Sequence, residues 1–252
     1  MPRVLVLMPF AEDEPSLKLR AAQIMALPAP ADTRHTFRGT KARPDTFDNH
    51  HDFLISELGV FEAGLSAEVE GFDAVGIDSM SDSGMNPLRA ALTIPVLGAA
   101  RAAFLTALML GNRFSVLTMW EPWKRIFQKT LPEYGLAERC ASIRTIEVPP
   151  DLTSLLGGKE DVVFPRLVEQ GQRCIAEGAE VIVLGSTTMH QAAAHLAAEL
   201  RVPVVDPGAV LYSTLDALLA ARLSHSKAAY PAPPAPKPDM IHAMMAAARA
   251  RA

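Results

Sequence analysis

Asp73-Ala74-Val75-Gly76-Ile77-Asp78-Ser79-Met80-Ser81 recurs in altered form as Glu180-Val181-Ile182-Val183-Leu184-Gly185-Ser186-Thr187-Thr188. Each stretch is followed by a helical run and then by a second apolar segment, Ile94-Pro95-Val96-Leu97-Gly98 in the first copy and Val202-Pro203-Val204-Val205 in the second. Ser79 precedes Pro95 by 16 residues and Ser186 precedes Pro203 by 17. Short continuous apolar runs read as parallel strands buried on both faces, and open α/β sheets place ligands at the carboxyl ends of such strands. A repeated strand tip carrying a small hydroxyl residue therefore predicts two half-sites facing one cleft, and an enzyme.

The pattern extends outward from these units. Arg3–Met8 is a strand closed by Pro9, and a helix, a short strand near His35-Thr36-Phe37 and a long loop are expected across residues 11–52. Apolar spacing of Leu58, Phe61, Leu65 and Val69 predicts a helix over 57–70, and another runs over 101–110 to Gly111-Asn112. The order then restarts. Arg113–Met119 reads as a strand, Trp120-Glu121-Pro122-Trp123 leads into a helix, 142–148 is a strand and 162–177 a helix. Strand–helix alternation in both halves predicts an α/β protein of two pseudo-symmetric lobes, each a roughly four-stranded, mainly parallel sheet flanked by helices, with the site in the cleft between them. The expected divisions are a first lobe at 1–112, a second at 113–210, a helix at 211–229 packing back on the first lobe, and a Pro-rich linker with a C-terminal tail at 230–252.

Bulk properties narrow the function classes. A chain of 252 residues, 49% hydrophobic and 21% charged, is an ordinary globular balance. A net charge of −4 offers no basic footprint for nucleic acid and no polybasic membrane patch. Apolar runs are broken well before the ~20 residues of a membrane span. The start Met1-Pro2-Arg3 leads straight into a strand without a signal-peptide pattern, and the two cysteines, Cys140 and Cys174, form neither a disulfide framework nor a metal spacing. A cytoplasmic setting is expected. No G-x-G-x-x-G or P-loop occurs, so a dinucleotide is not.

Ser79 and Ser186 are the leading catalytic candidates. A serine at a strand-to-helix junction also serves as an N-cap, and the two roles are compatible. Serine needs a neighbouring base to act near neutral pH, which draws in Asp78, beside Ser79, and His190, four residues beyond Ser186. Met80, Ser81, Asp82, Thr187 and Thr188 place small polar residues and backbone N–H groups at helix starts, an arrangement that favours a small anionic or imide-like ligand. With Pro9, Phe10 and Thr118, at the ends of the first strand of each half, they form the expected substrate-binding set. Asp48, His50, His51 and Asp52 lack a second cluster at ligand spacing and read as a polar loop, with no metal expected.

These units, together with Gly111-Asn112-Arg113-Phe114-Ser115-Val116-Leu117-Thr118, resemble the aspartate/glutamate/hydantoin racemase superfamily, nearest its hydantoin racemase branch, over most of residues 54–210. The resemblance implies an isomerase that uses no metal or organic cofactor, works on a small amino-acid-derived or hydantoin-like carbonyl compound, and assembles as a homo-oligomer. It further implies two cysteines, one per lobe, that pass a proton across the α-carbon. The matching positions here are Ser79, where the family usually reads Ala-Cys-Phe-x-Asp-Pro-Gly, and Ser186, where it usually reads Gly-Cys-Ala-Gly-Met. Asp82, Gly84 and Met189 keep the family character, whereas Met8-Pro9-Phe10 replaces its Asn-Pro-Asn loop. A thiol can be tuned to ionise near neutral pH and an alcohol cannot without a partner. Three readings follow: carbon-acid chemistry with Asp78, Asp82 or His190 moving the proton, a serine-dependent hydrolase or lyase, and a silent small-ligand binder.

Overall fold

The computed structural model describes residues 1–9, 14–25, 33–44, 47–149 and 160–249. The first lobe runs β1 (Arg3–Met8), α1 (Glu14–Met25), β2 (Arg34–Gly39), α2 (His50–Gly64), β3 (Ala74–Ile77), α3 (Met85–Ala91), β4 (Val96–Gly98) and α4 (Ala99–Leu110). The second runs β5 (Phe114–Thr118), α5 (Lys124–Glu133), β6 (Cys140–Thr145), α6 (Glu160–Ala176), β7 (Val181–Leu184), α7 (His190–Glu199) and β8 (Val204–Val205). Helices α8 (Pro207–Ala220) and α9 (Pro238–Arg249) follow.

The strands form two parallel sheets of identical order, β2-β1-β3-β4 and β6-β5-β7-β8. Val4–Leu7 and Val181–Leu184 are wholly buried, as continuous apolar strands covered on both faces must be. In each sheet the chain moves one way from the first strand and then reverses, so a topological switch point lies between β1 and β3 and again between β5 and β7. Ser79 and Ser186 each stand two residues beyond the strand that borders this point.

A core cluster spans both lobes through α4, where Phe104 stacks on Phe114 with ring centroids 5.2 Å apart. A second cluster fills the space between the first sheet and α2–α3. Helix α8 returns to α4, β3 and β4. Helix α9 lies on α2, where Met245 is buried and His242 Nδ1 sits 2.7 Å from Glu62 Oε1.

Several expected boundaries move. His50 and His51 open α2 rather than lying in a loop: Asn49 caps this helix by accepting from the Asp52 N–H, and Asn49 Nδ2 donates back to Asp52 Oδ2 at 2.9 Å. This local capping outweighed the polar look of the segment. Helix α2 then ends at Gly64 and the chain turns through 65–71. Strand β6 begins two residues early, and α8 starts at Pro207, capped by Asp206, ahead of Tyr212.

Candidate active site

The two serine turns are built alike. Ser79 Oγ accepts from the Ser81 N–H at 3.3 Å and shares a hydrogen bond with Ser81 Oγ at 3.0 Å. Ser186 Oγ accepts from the Thr188 N–H at 3.2 Å and shares one with Thr188 Oγ1 at 2.8 Å. Both are hydroxyl-closed turns, which small polar residues form because their side chains reach the backbone two residues on. The first lobe adds a link: Ser81 Oγ meets Ser83 Oγ at 2.9 Å and accepts from the Ser83 N–H at 3.3 Å. These bonds turn part of the expected anion-binding N–H set inward. Among the described residues neither Ser79 nor Ser186 bonds a histidine or a carboxylate, so the arrangement of a base-activated serine nucleophile is not formed.

Between the turns lies a residue that the sequence did not single out. Arg20, on α1, is buried; its Nε and Nη2 donate to the two carboxylate oxygens of Asp78 at 2.7 and 3.0 Å. Nη2 also donates to the Thr187 carbonyl of the opposite lobe at 2.8 Å. The Thr187 hydroxyl returns a long bond to the Asp78 carbonyl at 3.5 Å. A helical arginine whose partners lie 58 and 167 residues away leaves no local signal. Asp78 thus has both oxygens committed to a planar fork.

Asp82 is engaged elsewhere. Its carboxylate accepts from the N–H groups of Ala100 and Arg101, both at 2.9 Å, at the start of α4, and from the Tyr134 hydroxyl. A helix N-terminus attracts an anion, and here the chain supplies its own. The approach is close enough that a Cβ on Gly98 would lie 2.1 Å from Asp82 Oδ1, so only glycine fits there. Burial pushes the Asp82 carboxyl up, against the three donors and the more remote Arg89.

His190 opens α7 directly after the short 3-10 turn 187–189, so Ser186 and His190 are separated by a tighter coil than one α-turn. Its half-buried ring has an enclosed Nδ1 that finds no partner among the described residues. Burial and then the Arg20 charge hold the imidazole below its ordinary range, with Asp78 opposing. Thr118 Oγ1 is likewise buried and, among the described residues, unpartnered, pressed against Gly185 at the switch point of the second sheet. Around this floor stand Tyr212, whose buried hydroxyl has no partner among the described residues, and Asp206, whose carboxyl burial pushes up.

The chain matches the family described as Asp/Glu/Hydantoin racemase over residues 18–215. It belongs to that family. It is 32% identical over 181 residues to the hydantoin racemase of Pseudomonas sp. (strain NS671), covering 71% of each chain. Among solved structures it is similar to the allantoin racemase from Klebsiella pneumoniae, with a TM-score of 0.82, 28% identity, and 94% and 95% of the two chains covered. It is also similar to the allantoin racemase from Pseudomonas fluorescens, with a TM-score of 0.80, 25% identity, and 93% and 98% covered. The two parallel four-stranded sheets are the architecture shared with these racemases, and an isomerase-like enzyme is what the kinship supports.

Within this racemase-family frame the remaining candidates separate. Pro9 is buried beside the first switch point, and its carbonyl accepts from Thr40 Oγ1 at 3.4 Å. Phe10 lies outside the described residues. Met80 packs into the large core cluster, away from the polar turn it belongs to. Thr187 and Thr188 stay at the second turn, bonded as above. Trp123 is buried and Trp120 packs against the same core, so the pair fills space between elements. Among the described residues no three His, Cys, Asp or Glu side chains converge as a metal cluster.

Proposed function

We propose that this protein is a cofactor-independent racemase-type isomerase that exchanges the proton on the carbon next to a carbonyl in a small cyclic ureide, such as a 5-substituted hydantoin or allantoin. The observation that carries the reading is the matched pair of serine turns, Ser79 and Ser186, each two residues beyond the equivalent strand of its lobe. The relatives named as hydantoin and allantoin racemases supply the substrate class.

In this reading the serines stand where the family places cysteines, and the proton cannot rest on an unassisted alcohol. With Asp78 held by Arg20 and Asp82 held by α4 and Tyr134, His190 is the candidate base that makes no hydrogen bond among the described residues. Because its Nδ1 is enclosed, Nε2 is the nitrogen that meets the substrate. Neutral at pH 7, it takes the proton as the C–H pair moves into the enolate. Ser79 gives its hydroxyl proton to the carbanion from the opposite face, and the Ser81 and Ser83 hydroxyls pass it a replacement drawn from water. His190 releases the abstracted proton to water, so the protons balance over one turnover. Ser186, Thr187, Thr188, Thr118, Pro9 and Phe10 hold the ring. A cytoplasmic, homo-oligomeric protein completes the proposal, in keeping with free Cys140 and Cys174 and with the exposed Leu105 and Met109 on α4. Among the described residues no helix is long and apolar enough to cross a membrane.

The test is deuterium uptake at the α-carbon in D2O, followed by NMR, with hydantoins, allantoin and aspartate or glutamate derivatives. Uptake that Ser79→Ala or His190→Ala each reduces by about 100-fold, the scale of one acid–base group, and that Ser186→Ala weakens through substrate binding, supports the assignment. No uptake with any substrate makes racemisation the wrong reaction and leaves a small-ligand binder.

A further inference from the structure

Arg20 occupies a place that no feature of the sequence marks. Its guanidinium, nearly removed from solvent, contacts the residue immediately before Ser79 and the residue immediately after Ser186. The contact is made with three different donor–acceptor directions: Nε and Nη2 to the Asp78 carboxylate, and Nη2 to the Thr187 carbonyl at 2.8 Å. The fourth direction, Nη1, is held by Gln23 Oε1 at 3.1 Å on the same helix. A planar fork anchored on two sides has little rotational freedom, whereas a lysine ammonium is a point charge on a flexible stem. A shared hydrophobic core already joins the lobes through α4, so what is left to fix across the cleft is the local placement of the two turns. Across this cleft, Arg20 and the Thr187–Asp78 bond tie the floor of one turn to the floor of the other.

We infer that Arg20 is a positioning residue that sets the separation and orientation of the two serine turns, acting through Asp78 on Ser79 and through the Thr187 carbonyl on Ser186. The inference rests on the isomerase reading for its consequence, since a proton must leave one lobe and return from the other. Its geometry stands without that reading. Misplacing reacting groups by about 1 Å costs roughly 100-fold in rate, whereas Arg20 itself is not among the groups that hold the ring and the turn it positions keeps its own hydroxyl bonds. The loss therefore falls on kcat more than on KM.

The experiment compares wild type, Arg20→Lys and Arg20→Met in the full-length chain. Amide hydrogen exchange is followed at residues 78–83 and 186–189, and deuterium uptake into a hydantoin gives kcat and KM. Expected in Arg20→Lys is exchange about tenfold faster in both turns, including the one in the opposite lobe, from loss of a local anchor. With it, kcat falls roughly 10- to 100-fold while KM changes less than about threefold. If Arg20→Met does not fold, Arg20→Lys carries the test, because it keeps the charge. Faster exchange confined to 78–83, or unchanged at both turns, overturns the inference, as does a folded Arg20→Lys with wild-type kcat. Should the wild type exchange no ureide, the isomerase reading fails, and the coupled exchange of the two turns still decides the role of Arg20.

Discussion

The Tyr134 hydroxyl, in the second lobe, donates to the Asp82 carboxylate, in the first, at 2.5 Å. Asp82 at the same time caps α4, whose own N-cap is Gly98 and has no side chain to offer. One carboxylate thus serves both as a helix cap and as an inter-lobe contact, and it does so with a positive φ of 49° that aspartate tolerates better than most residues. Burial and the neighbouring carboxylate push the Tyr134 hydroxyl far above its usual pKa, so it stays a donor. Tyr134→Phe is expected to lower unfolding free energy by about 1.5–3 kcal/mol, the range for a hydrogen bond to a charged group, measured by urea denaturation. An unchanged midpoint would mean that the bond has no net worth.

The Arg20–Asp78 pair predicts an asymmetric response. Removing one member of a buried ion pair leaves the other charge uncompensated and costs about 3–5 kcal/mol. Asp78→Ala should therefore destabilise the protein on that scale, while the double variant Arg20→Met/Asp78→Ala should be less destabilised than the two single losses added together. Additive losses in a thermal-unfolding double-mutant cycle would show the pair uncoupled.

Tyr212 predicts a gain. Among the described residues its buried hydroxyl has no hydrogen-bond partner, although Asp78, Arg20 and Asp206 act on it electrostatically. An unsatisfied buried polar group costs roughly 1–3 kcal/mol, so Tyr212→Phe should raise the melting temperature. The ring keeps its edge-on packing against His35, at 5.1 Å between centroids. A lower melting temperature would instead reveal a bridging water beneath the site.

His190 sets a pH dependence. Its folded pKa lies below the ordinary 6.5 through burial and the Arg20 charge. Between the folded and unfolded values the unfolded chain binds more protons, so stability rises with pH through this window and is lost as pH falls below 6.5. The acid limb of kcat for α-proton exchange should likewise fall below pH 6.5 and vanish in His190→Ala. An acid limb at or above the ordinary histidine value, or one that persists in the variant, would remove His190 as the base.

Much of the architecture was legible because parallel strands are apolar along their whole length and glycine or proline marks their ends. Val181–Leu184 and Val4–Leu7 announce themselves this way, and both serine turns follow at the same offset. Start points of helices were less legible where a polar pair opened the helix: Asn49 with Asp52 reads as loop composition until the reciprocal cap is seen. The roles of Asp78 and Asp82 were not legible at all. Both are carboxylates beside a candidate serine, and each is claimed by a partner distant in sequence, Arg20 for one, and α4 with Tyr134 for the other.

The amino-acid order by itself determined the duplicated strand–serine–helix unit and the two-lobed parallel α/β plan, since periodicity and turn residues act over a few neighbours, and its motifs carried the resemblance to the racemase family. Only the tertiary structure decided which ionisable groups remain available in the cleft. Hydrogen bonds and desolvation depend on what folds against a side chain, and Arg20 reaches Thr187 across 167 residues of chain.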